Sequence, residues 1–585
     1  MIKRLLSWRR APPAFYPGED IQEPGRLRYD ATSRQSIETG RTRLIVTGAL
    51  FMAAFGVVAV RMVDVTVLKG GEDNRQPRSA RALELKMGRA DIVDRNGVVL
   101  ATSLPTVSVY ANPTEIIDAE AAAAKLVGAL PELAYADVLA RLRMERSFVY
   151  LRRNLTPRQQ HAVNALGIPG LYFENSERRV YPHGHAASHV VGLADLDNRG
   201  ISGVEKTFDA RLSAHTDPLR LSIDLRVQGI LRTELAHAVT TFRAAGATGM
   251  VIDVRTGEMI AMVSLPDFDP NAPANTTSEV MFNRATLGVY EMGSTFKLFN
   301  TAVALDSGAA SIRDGYDASQ PIRIARFTIT DYHGQNRWLS VPEILVHSSN
   351  IGSAKMALDF GTEVQKAYLG KFGLLRSAAI ELPEIGAPLV PSPWREINTM
   401  TISYGHGLAV TPLQMAVGVS ALVNGGIYRT ATLIRRDVPG EVAGQRVVKA
   451  ETSRQMRELM RMVVTEGTGG KADVAGYNVG GKTGTAEKLG AGGGYRRKSL
   501  LSSFIATFPV DDPRYVVLAM IDEPQGTKET YGYATGGWTA APVVGRTIAQ
   551  IGPMLGVAPR LPAAPEEPGA FRQAALKGSK LASSE

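Results

Sequence analysis

Apolar and polar positions change rhythm several times along the chain. Residues 44–60 (LIVTGALFMAAFGVVAV) carry no charge and are bounded by Arg43 and Arg61. At 1.5 Å per residue the run covers about 25 Å of a bilayer core roughly 30 Å thick, and extension through Met62 and Val63, with Arg61 snorkelling, completes a span. Because 43 residues precede it and no small-x-small site follows, the pattern predicts an uncleaved membrane helix over 44–63 instead of a cleaved signal peptide. Residues 90–102 (ADIVDRNGVVLAT) turn at Arg95-Asn96-Gly97, where Asn-Gly marks a hairpin. Residues 119–130 (AEAAAAKLVGAL) and 136–145 (ADVLARLRME) predict short helices. Farther on, a strand at 219–228 (LRLSIDLRVQ) leads into a helical pattern at 227–239 (VQGILRTELAHAV). In residues 249–265 (GMVIDVRTGEMIAMVSL) two alternating apolar runs flank Arg255-Thr256-Gly257, which predicts a second hairpin. No internal repeat is present.

Composition adds the boundaries. With 585 residues the chain exceeds one ordinary domain, and 44% hydrophobic with 21% charged residues is globular usage. Residues 1–43 are rich in Arg, Pro and Gly without apolar periodicity and read as a disordered tail. The divisions expected are this tail, an anchor over 44–63, a mixed unit over 64–216, a second unit over 217–555 and a Pro-rich then Lys/Ser-rich tail over 556–585. The flank 26–43 holds five arginines against four basic residues in 61–80, a weak bias placing the N-terminus inside. A formal net charge of +9 is modest for this length and is no argument for nucleic acid. Cysteine is absent, which excludes disulfides, zinc-thiolate sites, Fe–S clusters and thiol nucleophiles.

The chemistry lies in the second unit. Gly293-Ser294-Thr295-Phe296-Lys297 is followed by apolar residues at helical spacing up to Gly308, so Ser294 and Lys297 share the face of one first turn. There the macrodipole stabilises alkoxide character on the serine, and a lysine of depressed pKa can take its proton. Ser348-Ser349-Asn350 opens another helical run: an N-cap in one reading, a proton relay through Ser348 with the Asn350 amide against substrate in the other. The third stretch, GYNVGGKT ending at Lys482-Thr483, fits G-x-x-x-x-G-K-T, a phosphate loop. That mechanism needs a helix directly after the Lys-Thr, and Gly484 with the glycines from Gly490 argues against one. Strand, glycine-rich loop and strand (LLSSFIATF) is the better parse. It puts Lys482-Thr483-Gly484 on a β-strand, with Gly484 small enough for a ligand backbone to approach. Backbone N–H groups of Ser294 and Thr485 would then form an oxyanion hole, and Lys482 with the Thr483 and Thr485 hydroxyls would hold a carboxylate.

Ser294-x-x-Lys297, Ser348-x-Asn350 and Lys482-Thr483-Gly484, in that order, resemble the motif set of penicillin-binding proteins and serine β-lactamases. Further stretches resemble the class B penicillin-binding proteins over roughly residues 44–550. They include Gly88-Arg89, Asp91 to Gly97, Arg179-Val180-Tyr181-Pro182 and Gly200 to Glu205 before the catalytic unit, and Thr411-Pro412-Leu413-Gln414, Glu466-Gly467-Thr468-Gly469 and Ala540-Ala541-Pro542 within it. Met292 and His406 depart from that family's usual residues, at positions given no catalytic role.

The resemblance implies an α+β architecture: a single N-terminal transmembrane helix, an elongated pedestal of the dimerisation type, then a transpeptidase domain with a five-stranded antiparallel sheet flanked by helices. It implies a peptidoglycan D,D-transpeptidase, inhibited by β-lactams, with Ser294, Lys297, Ser348, Asn350 and Lys482 catalytic and Thr483, Gly484 and Thr485 binding substrate. No metal or cofactor is implied. The anchor and pedestal resemble the septal, division-specific (FtsI-type) branch, with the elongation-specific branch as the alternative. The expected location is the inner membrane at the septum, catalytic domain in the periplasm. Expected partners are stem peptides, the lipid bilayer, a membrane glycosyltransferase of the division machinery and other divisome proteins. A β-lactamase is disfavoured, since no Glu-x-x-Leu-Asn segment is present, and a β-lactam sensor since only one span is predicted; a non-catalytic divisome scaffold is the remaining alternative.

Overall fold

A computed structural model describes residues 45–60, 88–214, 216–324, 327–437, 442–489 and 495–560. The chain divides into Met1–Leu85 and Lys86–Glu585. In the first unit residues 45–60 form a helix with exposed apolar side chains. Among the described residues no helix is long and apolar enough to cross a membrane. Leu44, residues 61–63, the tail 1–43 and residues 64–87 and 561–585 lie outside the described residues.

The second unit begins with the predicted hairpin. Strand β1 (Ile92–Val93) pairs antiparallel with β2 (Val99–Ala111). The turn is fixed because Asp94 Oδ1 accepts from the N–H groups of Asn96 (2.7 Å) and Val98 (2.9 Å), while Gly97 takes φ +88°. Strands β3 (Val149–Leu155) and β4 (Leu171–Val180) flank β2, and β5 (Leu219–Arg220) runs parallel to β1. Helices α1 (Ala119–Ala129), capped by Asp118, and α2 (Tyr135–Leu142) close a small core of Val109, Ala111, Leu126, Val138, Leu151 and Leu155. This head has a core of its own. The base does not: Ile92, Leu100, Val190, Val204 and Leu219 join the same cluster as Met250, Phe296 and Leu413 of the catalytic unit. Inside that base Glu205 accepts from Arg89 Nε (2.6 Å) and Arg179 Nε (2.7 Å), all three side chains at most 3% exposed.

The catalytic unit is built on one antiparallel sheet. Its strands are β6 (Gly246–Asp253), β7 (Met259–Leu265), β8 (Gly480–Leu489), β9 (Tyr495–Phe508) and β10 (Tyr515–Asp522), in the order β8-β9-β10-β6-β7. Both faces are buried, and the period of two sorts the side chains. Val517, Ala519 and Ile521 pack under α3 (Leu225–Thr241) and the C-terminal helix Ala540–Met554. Val516, Leu518 and Met520 face the opposite core, beneath helices described next. These are α4 (Lys297–Ser307), α5 (Asn350–Lys371), α6 (Pro412–Val423) and α7 (Ala450–Thr465). Every residue of α6 is buried, which explains its nearly unbroken apolar text, and Thr411 starts it by a reciprocal cap with Gln414.

Candidate active site

Ser294 is projected by a 3₁₀ turn, Gly293–Phe296, that runs straight into α4. The sequence predicts one continuous helix; the tighter turn instead eclipses residues three apart, which aligns Ser294 with Lys297 more closely than α geometry would. The turn is clamped from three sides. Gly293 takes φ +56°, and its N–H donates to the Gly405 carbonyl (3.2 Å). Thr295 Oγ1 donates to the Met292 carbonyl (2.8 Å), and the buried Phe296 ring lies edge-on to Phe299. Ser294 itself stays half-exposed on this rigid support.

Lys297 is wholly buried, and its Nζ lies 2.8 Å from Ser294 Oγ, 2.7 Å from Asn350 Oδ1 and 3.3 Å from Ser348 Oγ. Ser348 reaches it because its backbone is left-handed (φ +59°), just before Ser349 caps α5. The N-cap reading holds for Ser349, whose Oγ accepts from Gly352 N–H (3.0 Å), while Ser348 and Asn350 turn inward toward Lys297. Lys482 completes the cluster from β8, its Nζ 3.0 Å from Ser348 Oγ. Burial drives the pKa of Lys297 well below the usual lysine range, and the Lys482 charge pushes it the same way. Burial alone brings Lys482 down to about 7. Two lysines that share a hydroxyl thus both give up a proton more readily than a lysine in water.

Lys482-Thr483-Gly484-Thr485 lies on β8, paired antiparallel with β9, and the chain continues as strand after Thr483. With no helix N-terminus there, the phosphate-loop reading has no anion site. The close approach permitted by Gly484 is to the serine's own turn: a Cβ here would stand 2.7 Å from the Met292 carbonyl and would also collide with Ser503 Oγ. Thr483 Oγ1 shares a hydrogen bond with Thr468 Oγ1 (2.7 Å), and Thr485 Oγ1 accepts from Gly536 N–H (3.1 Å). The Thr485 backbone abuts Gly293, so the backbones of Ser294 and Thr485 are near neighbours.

The structure therefore gathers Ser294, Lys297, Ser348, Asn350 and Lys482 into one linked cluster, with Thr483, Gly484 and Thr485 along its edge. Three further groups carried no signal in the sequence. Asp331 Oδ1 accepts from the N–H groups of Asn350 (2.6 Å) and Ile351 (3.0 Å), and Oδ2 from Ser349 Oγ (2.7 Å). The Tyr404 ring centroid is 5.9 Å from Lys297 Nζ. His406, set aside in the sequence as a departure without a role, lies near enough for Lys297 to add to the burial that lowers its pKa to about 4. Among the described residues no three metal-ligating side chains come together.

Residues 247–548 match the family described as the penicillin binding protein transpeptidase domain, and residues 84–224 the penicillin-binding protein dimerisation domain. The chain is 42% identical over 482 residues to a probable peptidoglycan D,D-transpeptidase FtsI of Caulobacter vibrioides, covering 80% of this chain and 82% of that one. It is 32% identical over 502 residues to the peptidoglycan D,D-transpeptidase FtsI of Escherichia coli strain K12, covering 80% and 84%. Among solved structures, the transpeptidase domain of Burkholderia pseudomallei penicillin-binding protein 3 matches at 33% identity and a TM-score of 0.53, covering 58% of this chain and 98% of that one.

Proposed function

The chain belongs to the class B penicillin-binding proteins, and from that premise we propose that it is the septal peptidoglycan D,D-transpeptidase of its cell, with Ser294 as nucleophile. One observation carries the chemistry: Ser294 Oγ is 2.8 Å from an amine that burial and a second lysine hold below its ordinary pKa. Neutral Lys297 takes the Ser294 proton as Oγ bonds to the carbonyl carbon of the penultimate D-Ala of a stem peptide. The backbone N–H groups of Ser294 and Thr485 stabilise the resulting oxyanion. Ser348, hydrogen-bonded to both lysines, passes a proton to the departing D-Ala nitrogen as the C–N bond breaks. An amine of a second stem peptide then attacks the ester, transfers its proton back through the same groups, and frees Ser294. Lys482, Thr483 and Thr485 hold the donor's terminal carboxylate, and Gly484 keeps the strand against the serine's turn. A β-lactam acylates Ser294 by the same first step.

In this reading an anchor over 44–63 fixes the enzyme in the inner membrane, N-terminus inside. The pedestal carries the 217–555 domain into the periplasm and meets a membrane glycosyltransferase and other divisome proteins. The uncharged text of 44–60 and the FtsI relatives support it. Labelling membranes with a fluorescent penicillin tests the chemistry: Ser294→Ala is expected to remove the labelled band at unchanged protein level, and persistent labelling would refute the nucleophile. Depletion tests the cellular role. Long filaments whose side walls still grow are expected; rounded, swollen cells would assign the enzyme to elongation.

A further inference from the structure

The motif carrying Ser348 and Asn350 does not hold itself in place. Asp331 lies 17 residues before Ser348, beyond the short hairpin Ile322–Ile324 and Phe327–Ile329. Its carboxylate reaches the start of α5 with both oxygens. Oδ1 accepts from two successive backbone N–H groups, at Asn350 and Ile351, and Oδ2 from the hydroxyl of the capping Ser349. The residue before it fixes the Asn350 side chain: the Thr330 carbonyl accepts from Asn350 Nδ2 (2.9 Å), which leaves Asn350 Oδ1 facing Lys297 Nζ at 2.7 Å. Ser349 and the helix dipole would serve as a cap without Asp331. What Asp331 adds is a second, charged clamp whose other end is the orientation of a group on the catalytic amine.

We propose that Asp331 is a positioning residue for acyl transfer, its carboxylate holding Ser348 and Asn350 on Lys297 through its grip on the first turn of α5. The charge acts through space. Asp331 holds the Lys297 pKa up against burial and Lys482, which push it down. The other groups facing Lys297 are the Tyr404 ring and His406, whose imidazole burial keeps neutral at physiological pH. Glu291 lies behind them, its charge acting on Tyr404, so Asp331 is the anion that acts on Lys297 itself, and the balance between it and Lys482 places the acid limb of the reaction.

This inference rests on the proposed function, and the experiment separates the two. The full chain in detergent is acylated with a fluorescent penicillin from pH 5 to pH 10, as wild type, Asp331→Ala and Asp331→Asn. In Asp331→Ala the clamp is gone, and the plateau acylation rate is expected to fall by about 10², the scale of a catalytic group displaced by an ångström. Asp331→Asn keeps an acceptor for the backbone N–H groups and removes the charge. Its plateau is expected to stay within about tenfold of wild type, while its acid limb moves to lower pH by roughly half a unit to one unit. A purely structural role would change the melting temperature and leave the limb of the folded fraction in place, and that result overturns the proposal. So does a wild-type rate and profile in both variants. Acylation of the wild type that persists in Ser294→Ala would instead overturn the nucleophile and leave Asp331 no site to position.

Discussion

At the base of the pedestal, Arg89 and Arg179 are buried and both close on Glu205, with Asp209 on the far side of Arg89 at 2.7 Å. At the active site Lys297 and Lys482 are buried at least as deeply, and their hydrogen-bond partners are hydroxyls, an amide oxygen and a carbonyl. The residue types follow the use. A guanidinium cannot shed its proton in a protein, so it must be paired, and its planar fork suits a shared carboxylate. An ammonium can shed its proton, so burial without a carboxylate in direct contact turns it into a base. One pair of buried cations ties separate segments of the pedestal's base to one carboxylate, and the other lies beside the proposed nucleophile.

Exchanging the cation types across this divide gives the largest expected effect. Lys297→Arg keeps a buried positive charge that cannot deprotonate, and penicillin acylation should fall by about 10²–10⁴ while the protein remains folded. A rate within tenfold of wild type would show that another base serves Ser294.

Unpairing the pedestal is expected to act on stability alone. Glu205→Gln leaves two buried guanidinium groups without their shared carboxylate and should cost about 3–5 kcal/mol, read from denaturant unfolding. The acylation rate per folded molecule should not change. If that rate falls instead, the pedestal base and the active site are coupled in a way this comparison denies.

The pH dependence of stability sharpens the other side. Lys482 has a folded-state value of about 7 against an ordinary 10.5, so between those values the unfolded chain binds more protons than the folded one. Its destabilising contribution is complete below about pH 7 and is relieved as pH rises toward 10.5. Lys482→Met should therefore melt higher than wild type by a margin that is larger at pH 7 than at pH 9.5. A margin independent of pH would mean that Lys482 stays charged. The smallest expected effect is none: magnesium-ATP should leave the melting temperature of the full chain unchanged, since Lys482 sits on a strand without a phosphate cradle.

Much of the local architecture was readable in advance. Asn96-Gly97 and Arg255-Thr256-Gly257 mark hairpins that form because apolar runs flank short polar turns. Gly484 was legible as a point of close approach, yet its neighbour is the Met292 carbonyl, which nothing in the local text indicates. His406 looked inconsequential, because its distance from Lys297 is set by the tight Gly293 to Gly405 contact between two chain segments more than a hundred residues apart.

The sequence by itself determined which residue types are present and at what local spacing: a serine one turn from a lysine, a capped helix opening with Ser-Ser-Asn, and a strand bearing Lys-Thr-Gly. Those features depend on contacts within a few residues, so periodicity and capping rules reach them. Only the tertiary structure decided that Lys482 meets Ser348 across 134 residues, that Asp331 grips α5, and that both lysines lose their water. Desolvation and through-space charge are properties of the closed interior. They arise when β8 docks on the serine's turn and against α7, and no stretch of sequence contains them before the chain has folded.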